Sequence, residues 1–199
     1  MMDYFYEQQL INEGFLTVCG MDEAGRGPLA GAVYAAAVIL PHGLVIDGLN
    51  DSKKLTEKKR EKLFDIIVEN AVSYGIATAS AAEIDEINIL NASMLAMRRA
   101  AAMLDPKPDA GIIDGNTSRG FDFHTVTLVK GDSLSPSVAA ASILAKVSRD
   151  RYMKELAEKY PEYNFAGHKG YPTKEHMDLV RKLGPCPEHR RSFLKFLNK

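Results

Sequence analysis

Met21-Asp22-Glu23-Ala24-Gly25-Arg26-Gly27-Pro28-Leu29-Ala30-Gly31 is the most informative stretch of this chain. Two adjacent carboxylates close an apolar run, and glycines with a single arginine follow at once. Adjacent acids repel unless a cation lies between them, so the pairing is costly to a fold and useful for binding metal. Glycines let a backbone approach a ligand closely, and an exposed loop between strands is where such a ligand docks.

On either side of this stretch the pattern is that of strands. Leu16 to Met21 reads as a short buried strand ending at Asp22, and Val33 to Leu40 as a second, closed by Pro41-His42-Gly43, which makes the glycine segment a strand-to-strand turn. Thr56 to Ala71 has helical spacing, with Leu55, Leu63, Ile66 and Ile67 near one face and the run Lys58-Lys59-Arg60 on the solvated side. Ser73 to Ala79 reads as a third strand. A short helical turn over Ile84 to Ile89 and a firmer helix over Ala92 to Leu104 follow, stopped by Pro106 and Pro108. Gly111 to Ile113 and Phe123 to Val129 are strands that stop near Asp114-Gly115 and Gly131-Asp132. From Ser135, with Pro136 suited to a first helical turn, a long helix is expected to about Lys159. Two shorter helices, Thr173 to Leu183 and His189 to Leu197, are expected in the tail. The whole predicts an α/β layer with a central mixed sheet flanked by helices. Residues 1–160 form the main domain in this reading, and 161–199 a small helical C-terminal extension.

Bulk properties set limits. At 199 residues and 46% hydrophobic, the chain is long enough for one well-packed domain. Cys19 lies in an apolar run far from Cys186, reads as a buried thiol, and fits a reducing, cytoplasmic setting. The apolar runs are too short to cross a bilayer, so no membrane partner is expected, and the protein is read as a monomer. Net charge is −1, but residues 146–199 carry 13 Lys/Arg against 7 Asp/Glu while residues 1–145 carry 12 against 19. A basic C-terminal third beside an acidic body suits a phosphate backbone held against a metal site; an unevenly charged solvated surface fits equally well.

Asp22 with Glu23, Asp114 and Asp132 share one placement, each where an apolar strand-like run gives way to a turn or helix. Strand ends in a packed sheet converge, and ligands collect at that rim. Four carboxylates in one cleft favour Mg²⁺ or Mn²⁺ over zinc, and His168, His176 and His189 lack zinc-site spacing. Taken singly each acid has an ordinary turn or cap role; taken together they indicate a divalent-metal nuclease. A nucleotide-cradling loop is disfavoured, because Gly25, Gly27 and Gly31 miss the usual spacing and Pro28 removes a backbone donor.

With these residues in view, Asp22-Glu23-Ala24-Gly25-Arg26-Gly27-Pro28-Leu29-Ala30-Gly31 resembles the signature of the type 2 ribonuclease H family, its bacterial members above all. The likeness continues through Asp51-Ser52-Lys53-Lys54-Leu55, Ile113-Asp114-Gly115-Asn116, Lys130-Gly131-Asp132 and the run from Ala139 to Arg151. It ends with Gly170-Tyr171-Pro172-Thr173 and His189-Arg190-Arg191-Ser192-Phe193. Together these segments span about residues 15 to 195. Ala32 departs from the pattern, where proline is expected. With no long substrate-binding extension ahead of Asp22, the resemblance implies the type 2 rather than the type 3 branch.

The resemblance implies a ribonuclease H-like fold. It implies an endonuclease that cuts the RNA strand of RNA–DNA hybrids and nicks on the 5′ side of ribonucleotides embedded in duplex DNA, leaving 3′-hydroxyl and 5′-phosphate ends. The metal-binding carboxylates it implies are Asp22, Glu23, Asp114 and Asp132, acting through two Mg²⁺ or Mn²⁺ ions with substrate bound. Gly25, Arg26 and Gly27 would read the ribose 2′-hydroxyl through backbone groups, and Tyr171 would stack on the following deoxyribose. Some alternatives stay open at this level. Arg26 can serve as a counter-ion to the acids. Lys53 and Lys54 can touch phosphate or simply be solvated. Ser142, Lys146 and Arg149 form a helical polar stripe that faces either the acids or phosphates. A non-catalytic hybrid-binding module and a small-nucleotide phosphotransferase are the rival classes.

Overall fold

The computed structural model describes residues 2–198 and places the acidic stretch in the middle of a five-stranded mixed sheet. β1 (Val18–Ala24) pairs antiparallel with β2 (Val33–Ile39), which pairs antiparallel with β3 (Ser73–Ala79). On its other side β1 runs parallel to β4 (Ala110–Asp114), and β4 runs parallel to β5 (His124–Leu128), giving the order β3-β2-β1-β4-β5. The central strands are covered on both faces, which is why they read as nearly unbroken apolar runs rather than alternating ones. The two-residue period still sorts them. Ala35 and Ala37 join Met21 and Ile113 on one face, while Ala36 and Val38 join Ile143 and Leu144 on the other.

Of the six helices of the described residues, α1 (Phe5–Asn12) and α2 (Glu57–Asn70) precede α3 (Ala81–Ala102), which covers the first face. α4 (Pro136–Lys159) with α2 covers the second, and α5 (Phe165–His168) and α6 (Lys174–Leu183) follow. α4 lies directly on β1. A Cβ on Gly20 would sit 2.2 Å from the Ser137 carbonyl carbon, and Ala139, Ala140 and Ala141 are fully buried at the contact. Only small residues permit that approach, and it brings the start of α4 over the end of β1.

Several expectations change. β1 does not stop at Asp22 but carries Asp22 and Glu23 in register with Ala36 and Ala35 of β2. The two helical readings between Ile84 and Leu104 are halves of α3, joined at Asn88, whose φ of 66° breaks the helix and whose Oδ1 accepts from the Asn91 amide. α1 was not foreseen. Its buried Glu7 accepts from the hydroxyls of Ser135 and Ser137, both at 2.6 Å, and braces the start of α4. Arg60 is not solvated: it donates to the Ser52 carbonyl and lies 3.6 Å from Asp150. No helix forms over His189 to Leu197. There, extended backbone hydrogen-bonds the glycine loop (Gly31 N to Glu188 O, Arg190 N to Leu29 O), and two 3-10 turns, Arg191–Phe193 and Lys195–Asn198, follow. Asp85 accepts from the Arg191 and Ser192 amides and outbids helical periodicity. Both cysteines are free and buried. Among the described residues no helix is long and apolar enough to cross a membrane.

The segment beyond residue 160 packs onto the glycine loop. Leu29 and Ala30 share an apolar cluster with Met153, Tyr163, Phe165, Val180 and Leu194.

Candidate active site

Parallel β4 ends beside β1, which runs two residues further. Met21 is in register with Ile113, so Asp22 and Asp114 are the next residues along two neighbouring strands. After β5 the chain turns through Lys130, in the left-handed region at φ 61°, into a 3-10 turn, Gly131–Ser133. The Gly131 amide donates to Asp114 Oδ1 at 2.7 Å and ties that turn to β4. Asp132 thereby joins the group: one carboxylate oxygen from each of Asp22, Asp114 and Asp132 lies within 4.8 Å of the others.

Glu23 stands apart from that triad. Successive strand residues point to opposite faces, so Asp22 faces α4, where Ser142 supplies a hydroxyl, and Glu23 turns the other way. The longer Glu23 side chain still feels Asp114 and Lys53, and Arg26 Nη1 lies 3.5 Å from its Oε1. The counter-ion role of Arg26 is thus realised toward Glu23.

The cleft is electrostatically tense. Burial, then Glu23 and Asp114, push the Asp22 carboxyl well above the carboxylate range. Burial also raises Glu23, against Arg26, and burial with Asp114 and Asp51 raises Asp132. Asp51 was not singled out from sequence. It caps the Ser52–Lys54 turn by accepting from the Lys53 amide at 2.9 Å, which leaves it facing Asp132. Lys53 Nζ lies 3.8 Å from Asp132; burial opposes its charge, but Asp132, Asp22, Asp51 and Asp114 hold its ammonium above its ordinary value. Carboxylates crowded into one partly buried cleft are an all-oxygen donor set suited to a hard divalent cation.

Beside the acids, residues 25–32 are held from behind by two arginines. Arg190, fully buried, donates to the carbonyls of Gly25, Arg26, Pro28 and Gly31 at 2.6–3.0 Å. Arg149, also buried, donates to the carbonyls of Ala30, Ala32 and Lys169. A trans peptide points its C=O and N–H in opposite directions, so carbonyls of Gly25 and Arg26 turned inward leave the Arg26 and Gly27 amides directed outward. Gly25, at φ 98°, admits no side chain: a Cβ there would lie 2.0 Å from Arg149 Nε. Arg149 therefore serves the loop, Ser142 serves Asp22 and Ser52, and Lys146 pairs with Asp150 at 2.7 Å, so the polar stripe splits three ways. Arg190 escaped sequence reading because its acceptors lie about 160 residues away and leave no local signal.

Tyr171, 42% exposed, borders the same loop; a Cβ on Gly27 would be 3.7 Å from its ring. The Leu29 amide donates to the Gly170 carbonyl at 2.7 Å, fixing the two segments together. Acids, outward amides and an exposed ring thus share one rim of the sheet.

Comparison with known proteins places the chain in a family. The family model for ribonuclease HII matches residues 19–197. The ribonuclease HII of Caldicellulosiruptor bescii is 53% identical over 194 residues, covering 97% of this chain and 94% of that protein. That of Ruminiclostridium cellulolyticum is 55% identical over 190 residues, covering 96% and 74%. Among solved structures, the ribonuclease H2 from Pyrococcus horikoshii OT3 superposes with a TM-score of 0.75 at 27% identity, over 92% of this chain and 100% of that one.

Proposed function

The chain belongs to the ribonuclease HII family and is an endonuclease acting on the RNA strand of RNA–DNA hybrids; we propose that it also nicks duplex DNA on the 5′ side of an embedded ribonucleotide. The products of that cut are 3′-hydroxyl and 5′-phosphate ends. The carrying observation is the convergence of Asp22, Asp114 and Asp132 beside an arginine-held loop and an exposed tyrosine.

Asp22, Asp114 and Asp132, with Glu23 completing the set, would hold two divalent ions, Mg²⁺ or Mn²⁺. Such ions, when bound, activate water and offset charge on the departing oxygen. The chain's own groups do the rest. The Arg26 and Gly27 amides face the ribose 2′-hydroxyl, and a site built to hydrogen-bond a hydroxyl discriminates strongly against its absence. Tyr171 stacks on the next sugar, a contact of ~1–3 kcal/mol. Lys53, whose Nζ lies 3.8 Å from Asp132, would contact the scissile phosphate. Residues 161–199 contribute to substrate binding through Tyr171 and the arginine-held loop. The protein works as a cytoplasmic monomer in this reading.

Side-by-side digestion of DNA–DNA, RNA–DNA and single-ribonucleotide duplexes with Mg²⁺, Mn²⁺ or chelator tests the proposal. Cleavage of the last two with either metal is expected, and none with chelator. Binding without product would make the protein a hybrid-binding module instead.

A further inference from the structure

Behind Tyr171 lies a chain of buried imidazoles that the reaction does not use. His176 Nδ1 meets the Tyr171 carbonyl at 2.9 Å, and His176 Nε2 meets His189 Nε2 at 3.0 Å. His189 Nδ1 lies 3.1 Å from both the amide and the thiol of Cys186. His176 and His189 are 0% and 1% exposed.

Every proton in this chain has one consistent place. A carbonyl can only accept, so His176 carries its proton on Nδ1 and its Nε2 is bare. His189 then donates from Nε2, and its bare Nδ1 accepts from Cys186. The Tyr171 backbone is also held on its other side. Its amide donates to the His168 carbonyl at 2.9 Å, and the Gly170 amide donates to His168 Nδ1 at 3.1 Å. These bonds sustain Lys169 at φ 51° ahead of Gly170 at φ 79°, a conformation that costs a residue with a Cβ roughly 1–2 kcal/mol.

We infer that His176 and His189 are positioning residues for cleavage at a lone ribonucleotide, fixing the Tyr171 backbone through the Cys186–His189–His176 relay so that its ring is set against the 2′-hydroxyl-reading loop. The inference rests on the reading of Tyr171 as the residue that stacks on substrate.

Two isosteric changes separate positioning from bulk packing. Asn at 176 places its amide where Nδ1 sits and keeps the donor to the Tyr171 carbonyl. Gln places its amide where Nε2 sits and satisfies His189 but abandons Tyr171. His176→Gln is expected to lower kcat/KM on a single-ribonucleotide duplex by about fivefold, the low end of a lost stacking contact. His176→Asn should stay within about twofold of the parent, and Tyr171→Ala with His176→Gln should be no worse than Tyr171→Ala alone. Amide hydrogen exchange at Tyr171 and at Thr173, whose amide donates to the same Tyr171 carbonyl at 2.8 Å, should quicken in His176→Gln but not in His176→Asn.

Equal losses in the two variants, or multiplicative effects with Tyr171→Ala, would reduce His176 to a packing residue. Wild-type activity and exchange in His176→Gln would overturn the relay outright. If Tyr171→Ala itself cleaves normally, the stacking reading fails, while the exchange measurement still decides whether the relay holds the loop. Should His176→Gln not fold, His189→Asn, which keeps the contact to Cys186 and deprives His176 of its donor, carries the same comparison.

Discussion

The acid cleft and the loop beside it answer the same problem, buried charge, in opposite ways. In the cleft, Asp22, Asp114 and Asp132 crowd within 4.8 Å, and burial with the neighbouring Asp114 raises the proton affinity of Asp22 and Asp132. In the loop, the charges of Arg190 and Arg149 are spread over seven backbone carbonyls of residues 25–32 and 169. Buried charge is tolerable when its hydrogen-bonding capacity is met. The loop meets it internally, whereas the cleft leaves room for a cation. In the proposed function, recognition is therefore preorganised in one region, and chemistry waits on a ligand in the other.

Breaking the cleft should produce the largest effect on function and the reverse effect on stability. Asp22→Asn or Asp114→Asn is expected to bring cleavage down to the no-enzyme background. In chelator, Asp22→Asn should melt above the parent, because it removes one member of a mutually repelling group while keeping the Oδ1 that accepts from the Glu23 amide at 2.7 Å. Divalent metal should raise the parent's melting temperature and leave the variant's nearly unchanged. Full activity in either variant would remove that residue from the mechanism; a lower melting point in chelator would refute the tension.

The loop should respond the other way. Arg190→Ala strips donors from four carbonyls, three of them buried, and at ~1–3 kcal/mol for each buried polar group left unmet the loss should be about 3 kcal/mol or more. The urea midpoint measures this directly. Arg190→Lys, with a single ammonium in place of a planar fork, should recover part of it. A midpoint unmoved by Arg190→Ala would mean that the loop holds itself.

This contrast also explains what could be read from sequence. Asp22 and Glu23 stand out because they interrupt an apolar run, and Asp114 and Asp132 because each ends a strand signal. Helix starts were readable at Thr56 and Ser135, since each cap acts on amides within three residues. Glu7 and Arg190 were opaque for the converse reason: their partners lie about 130 and 160 residues away. The 3-10 turns replacing a helix after His189 have the same origin, because Asp85, more than 100 residues distant, takes the Arg191 and Ser192 amides. The separation of Glu23 from the triad follows from β1 continuing past Asp22, a matter of strand length that composition does not encode.

The smallest expected effect is on pH, and it sharpens the contrast because the cleft and the buried histidines behind Tyr171 carry opposite signs. Burial lowers His168, His176 and His189, the last to about 4, with its neighbour His176 adding to the shift. Folded imidazoles therefore bind protons more weakly than unfolded ones, and unfolding takes up protons below about 6.5. Their contribution to stability is complete above that value and lost as pH falls toward about 4. Asp22 and Asp132 are raised instead, so acid favours their folded state and partly masks the histidine loss. Asp22→Asn removes some of that mask. Urea midpoints measured in chelator between those two pH values should then fall more steeply with acidification in Asp22→Asn than in the parent. Parallel slopes would show that the carboxylates of the cleft do not titrate in this window, and that their mutual repulsion is already relieved by the ammonium of Lys53.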